Sequence, residues 1–204
     1  NIAIVHGVTG SSRTFMGEEA AGVDAAKIAL ARIAAGQSDI ALIGGSHNAE
    51  RKEMLMLYEF DDFNLRDKFA PVWARGNKPG FALGSVGTFL VMESKAHAQA
   101  RGANPYARLT NVVSDQARRK KPGEVTASLQ ALWSKLGKLD DKGAIITGAT
   151  GAEPATSEEL AFLRQHGDFA IRAAGTAFGH NMEAQFILGL ALAALSISRG
   201  ELFP

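Results

Sequence analysis

The chain contains no cysteine. Disulfide scaffolds, cysteine-ligated zinc, iron–sulfur clusters and any thiol nucleophile are thereby excluded. It also has no surplus of one charge, with 22 Lys and Arg against 21 Asp and Glu and a formal net charge of +1. That balance speaks against a chain-wide nucleic-acid footprint and against a disordered acidic tail. Long apolar runs are absent too: the longest, residues 186–195, is about half of what a bilayer-spanning helix needs. Residues 1–10 lack the basic start and apolar stretch of a signal peptide. A cytoplasmic protein without membrane insertion or nucleic-acid partner is the expectation. What is present is ordinary. Of 204 residues, 46% are hydrophobic and 21% charged, enough for one good-sized domain.

Residues 20–35 are Ala-rich and place Val23, Ala26, Ala29, Leu30 and Ile33 on one side, the pattern of a helix with one buried face. Gly36 ends it. Asp39-Ile-Ala-Leu-Ile-Gly-Gly45 then reads as a strand buried on both faces. With Arg13-Thr-Phe-Met16 as a preceding short strand, this predicts one βαβ unit. Residues 54–79 read as irregular, punctuated by Asp61, Asp62, Asn64, Pro71 and Gly76. Further strands are predicted at 81–92, 108–114 and 144–147. Helices are predicted at 94–101, 125–136, 157–165 and 183–198, with a basic surface loop at 118–121. The whole is layered α/β. Asn1-Ile-Ala-Ile-Val-His6 starts as though inside an element, and Glu201-Leu-Phe-Pro204 stops as a new segment begins. A fragment of something longer is therefore expected.

Candidate sites are few. The five histidines, His6, His47, His97, His166 and His180, include no pair spaced for a metalloprotease helix. There is no phosphate-cradling loop followed by Lys, and no glycine triplet of the dinucleotide-binding kind. Glu18 and Glu19 head the Ala-rich helix, where free N–H groups favour acidic side chains as caps. Gly179-His180-Asn181 precedes the last helix; a His at such a place serves as a site residue or as a turn residue.

A family resemblance adds more. Gly10-Ser-Ser, then Glu19-Ala-Ala-Gly22, the Ala-rich helix and residues 39–45 resemble the nucleophile region of the β-ketoacyl-acyl-carrier-protein synthases. Pro79-Gly-Phe-Ala-Leu-Gly84, Phe89-Leu-Val-Met-Glu93, His97 and Arg101-Gly-Ala103 are similar to that family's glycine-rich hairpin and its E-x-x-x-H-A-x-x-R-G-A stretch. Residues 143–154 resemble the strand carrying its first catalytic histidine, and Gly179-His180 resembles the second. The markers are collinear over essentially the whole chain.

The resemblance implies a thiolase-like fold, an αβαβα layered sandwich that here is incomplete at both ends. Residues 1–94 would be the remainder of its N-terminal half and 95–204 most of its C-terminal half. It implies an acyl carrier protein as partner and a homodimer, or a heterodimer with a Cys-bearing ketosynthase. No metal and no cofactor of the chain's own is implied, since acyl groups arrive on the carrier's phosphopantetheine. The family reaction is a decarboxylative condensation by a helix-terminal Cys, two His and a Lys. Residue by residue, Glu19 falls at the nucleophile, Ala149 at the first His and Gly175 at the Lys; only His180 is retained. Two expectations follow. One is a catalytically degenerate subunit of fatty acid or polyketide synthesis. The alternative is an acyl-carrier-protein-dependent enzyme with altered chemistry, malonyl-thioester decarboxylation or thioester hydrolysis, in which Glu19 and His180 act as an acid/base pair. The second requires these two side chains to converge on an open pocket. The basic loop at 118–121 reads as a solvated surface or as a docking patch for an acidic carrier protein.

Overall fold

A short α1 (Ile2–His6) comes first; small residues on one side of a helix let it lie close to its neighbours, and α2 (Glu18–Ala34) uses Ala21, Gly22, Ala26 and Ala29 in that way. Gly22 marks the tightest approach, where a Cβ would meet the Glu183 carbonyl oxygen at 2.7 Å. The computed structural model describes residues 2–66, 68–76, 79–117, 121–137 and 143–203. After α2, β1 (Ile40–His47) pairs antiparallel with β2 (Val86–Glu93), from Ile40 opposite Glu93 to His47 opposite Val86. Ala41, Ile43, Leu90 and Met92 turn inward against α2 and α8 (Gln185–Arg199), and Val112 and Ile187 complete this main core. The intervening residues Ile40, Leu42, Phe89 and Val91 are exposed on the other face. The expected burial of β1 on both faces is therefore corrected, because the described residues cover the sheet on one side only.

A second, parallel pair joins β3 (Ala144–Thr147) to β4 (Ala170–Ala173), linked by α6 (Ala155–His166). This is the βαβ unit of the described residues. The one expected around α2 is not formed, since Arg13-Thr-Phe-Met16 is no strand and Met16 is 89% exposed. Residues 108–114 likewise join neither ladder, although Val112 is buried in the main core. An extended segment becomes a strand only where another edge offers hydrogen bonds. Residues 54–79 are not all irregular. They share α3 (Lys52–Phe60), a run of strong helix formers that lacks a side-chain cap at Arg51. Helix α5 (Glu124–Leu136) forms as expected and packs on α6, whose Glu158 carboxylate accepts from the free Gly123 and Thr126 N–H groups at the start of α5. The predicted basic loop falls largely on residues 118–120, outside the described residues.

The segment Met182–Arg199 proves long and apolar enough, by length and composition, to cross a membrane. Ile187 and Leu188 within it are buried, and Ile187 belongs to the main core.

At the end of β2, Glu93 organises α4 (Lys95–Ala100). Arg101 Nε lies 2.9 and 3.1 Å from its two carboxylate oxygens, Arg101 Nη2 makes a closer contact, and His97 Nδ1 lies at 3.0 Å. The hydrogen bonds from Arg101, then that from His97, pull the Glu93 carboxyl down to about 2. A carboxyl lowered on folding stabilises the protein above its unfolded value, and that contribution is lost as pH falls through about 2. Glu93→Gln is therefore expected to flatten the acid limb of the stability profile between about 4.5 and 2. Urea unfolding across that pH range measures it; an unchanged acid limb contradicts the assignment.

Candidate functional site

Helix α2 begins after Gly17, whose φ of +124° is glycine's territory, and no side chain caps it. Its first turn presents Glu19. The Glu19 carboxylate, 32% exposed, stands 3.5 Å from Nε2 of His180, which is 3% exposed. The two residues singled out in sequence are thus brought together. At this separation the imidazole and carboxylate are in polar contact rather than tightly hydrogen-bonded.

His180 is held by its backbone. Its N–H donates to the Ala82 carbonyl at 2.7 Å, and its own carbonyl accepts from the Gly84 N–H at 3.0 Å. This bridges the glycine-rich stretch before β2 to the turn before α8. Phe81 lays its ring 4.8 Å from the imidazole, in an edge arrangement. Asn181, fully buried, donates its side-chain amide to the Gly84 and Phe178 carbonyls, and its N–H to Gln185 Oε1. These links to backbone, to a buried amide and to the Phe81 ring hold the His180 position fixed rather than adjustable.

Ala149 and Gly175 also meet. Ala149 lies buried beyond β3, and Gly175 opens α7 (Gly175–Phe178); a Cβ on Gly175 would approach the Ala149 carbonyl oxygen to 2.8 Å. Neither residue has a side chain able to donate a proton or a hydrogen bond. The surrounding loops are tied by Arg75, a buried guanidinium that donates to the Ala70, Gly80 and Thr150 carbonyls at 3.0, 2.6 and 2.5 Å. Burial lowers its pKa.

A cavity of about 1390 Å³ opens beside these residues, between the start of α2, β3, α6 and α8. Glu19 and Ala149 line it, whereas His180 stands behind Glu19 and Gly175 behind Ala149. Among the described residues no group of three or more His, Asp or Glu could hold a metal ion. Arg75, Gln185 and Glu159 are site-forming residues without a local signature in the sequence.

No family model matches the sequence, and no curated protein matches it. Solved structures match the fold. One described as the ishigamide ketosynthase/chain length factor is 24% identical, with a TM-score of 0.69 over 88% of this chain and 46% of that one. A type II polyketide synthase acyl-carrier protein in complex with its ketosynthase bound to the hexaketide is 21% identical, with a TM-score of 0.78 over 97% and 52%. The ketosynthase from module 6 of the bacillaene synthase from Bacillus subtilis 168 is 16% identical, with a TM-score of 0.79 over 100% and 38%. The fold is thus the thiolase-like fold of ketosynthases and chain length factors, as expected, and the chain spans about half or less of each of these structures.

Proposed function

We propose that this chain belongs to a non-condensing ketosynthase-family subunit of polyketide or fatty acid synthesis, paired with a ketosynthase that supplies the missing Cys. The observation that carries this reading is the occupancy of the helix terminus. Glu19 stands in the first turn of α2, 3.5 Å from Nε2 of His180, while Ala149 and Gly175 fill the adjoining places without a functional group. Free N–H groups at a helix start hold a carboxylate in its ionised form, which makes it a poor acyl acceptor. The exposed apolar face formed by Ile40, Leu42, Phe89 and Val91 is of the kind that subunit contacts use, which supports a partner. Substrates would arrive on the phosphopantetheine of an acyl carrier protein.

The test incubates the full-length protein with malonyl- and acyl-carrier protein, alone and with a Cys-bearing ketosynthase, and follows the carrier-bound species by mass spectrometry. The expected result is no condensation alone and a changed product length in the mixture. The 3.5 Å approach of His180 to Glu19, of which only Glu19 lines the cavity, is the observation behind one second reading, decarboxylation or thioester hydrolysis by an acid/base pair. On that reading acetyl-carrier or free carrier forms without a partner, and Glu19→Ala or His180→Ala lowers its rate by about a hundredfold. Such a result overturns the leading reading.

A further inference from the structure

A second cavity, of about 610 Å³, shares no residue with the first. It opens where the last turns of α6, the turn that follows, β4 and the short 3-10 turn Val72–Ala74 meet. Its volume falls within the roughly 300–1,000 Å³ of small-ligand sites.

Three kinds of side chain enter it. Leu160 and Arg164 lie four apart on α6, so an apolar group and a cation share one face of that helix. Asp168 follows just beyond the helix end, and Phe169 and Trp73 supply aromatic surface. Both rings are braced. Phe169 folds back over Gly167, where a Cβ would run into its ring, and Trp133 meets it edge-on at 5.9 Å. Trp73 packs on the buried cluster of Val72, Ala149 and Ala173. The apolar floor is therefore preorganised, which lowers the entropy a ligand must give up.

The charged groups are placed differently. Arg164 and Asp168 are both exposed, and they do not pair with each other. A ligand bearing a single charge satisfies one of them and meets the other unmatched. A free α-amino acid carries its carboxylate and ammonium on one carbon, with the side chain as the third branch. The planar fork of Arg164 suits the carboxylate. The ammonium is favoured by Asp168 and by the carbonyl end of the twelve-residue α6.

We infer that this cavity binds a free apolar α-amino acid, aromatic or branched. Its carboxylate lies on Arg164, its ammonium on Asp168 and its side chain against Trp73 and Phe169. The inference does not depend on the acyl-carrier reading above.

Calorimetric titration of the full-length protein with L-phenylalanine and L-leucine tests it, and at least one should bind saturably. N-acetyl-L-phenylalanine lacks the ammonium and L-phenylalaninamide lacks the carboxylate; each should bind about fivefold more weakly than phenylalanine. Glycine, without a side chain to bury, should bind at least about tenfold more weakly. Arg164→Gln and Asp168→Asn should each weaken phenylalanine binding about fivefold. No saturable binding of either amino acid at millimolar concentration overturns the inference. So does glycine or N-acetyl-phenylalanine binding as tightly as phenylalanine, or binding that both variants leave unchanged. The ligand series on the unaltered protein decides the matter even where a variant fails to fold.

Discussion

Gly84→Ala is expected to lower the free energy of unfolding by more than about 3 kcal/mol and to displace His180 from Glu19. A Cβ at this position would press into the Phe178 carbonyl and lie 2.7 Å from Asn181 Nδ2. Neither obstacle can give way cheaply. The Phe178 oxygen accepts from Asn181 Nδ2 at 2.9 Å, and the same amide nitrogen donates to the Gly84 carbonyl at 3.0 Å. Gly84 in turn donates its N–H to the His180 carbonyl. The strain of one methyl group therefore passes through two hydrogen bonds into the backbone of His180. Urea unfolding reads the stability, and the His180 ring resonance reads the displacement. A loss below about 1 kcal/mol would show that the glycine-rich stretch can shift, and that His180 is less firmly placed than its contacts imply.

Arg75→Met should cost about 2–4 kcal/mol for a different reason. Its guanidinium is 6% exposed and satisfies three carbonyls, from Ala70, Gly80 and Thr150, each of which loses this donor if it is removed. Methionine restores much of the volume and none of the donors. Arg75→Lys recovers one bond at most, because a single ammonium cannot span three acceptors set around a planar fork. Removing a buried charge regains some desolvation energy, which keeps the net loss below the sum of the bonds. Beyond stability, the loop at residues 149–151 should loosen. The amide of Gly80, which donates to the Gly151 carbonyl at 2.8 Å, should exchange faster in hydrogen-exchange measurements. Unchanged exchange there would mean that the loop holds its shape without Arg75.

Helices α2 and α8 were legible because each has a single buried face at helical spacing and an end marked by glycine. The strands were less so. An apolar run such as residues 40–43 announces burial, but which neighbour supplies it is a property of distant chain, and here one face of the run stays open. Residues 13–16 and 108–114 have strand composition and no partner edge among the described residues, and composition cannot see an edge. Helix α3 escaped notice because its residues are apolar nearly all round and its start has no capping side chain. Of the candidate site, Glu19 and His180 stand out in the sequence by their places before helices, and Ala149 and Gly175 only through family resemblance. Arg75 and Glu159 were not, since a polar side chain buried by remote elements leaves no periodic trace in its own segment.

The contact between Gly175 and Ala149 also bears on how this protein can change over generations. With the carbonyl of residue 149 only 2.8 Å from where a Cβ at 175 would stand, and the Val72 side chain at 3.4 Å, every residue other than glycine at 175 is barred until the loop at 149 retreats. That loop is clamped by Arg75 through Thr150, so its retreat needs a further substitution first. A lineage carrying this arrangement cannot acquire a long side chain at 175 by a single mutation; packing makes the order of substitutions matter.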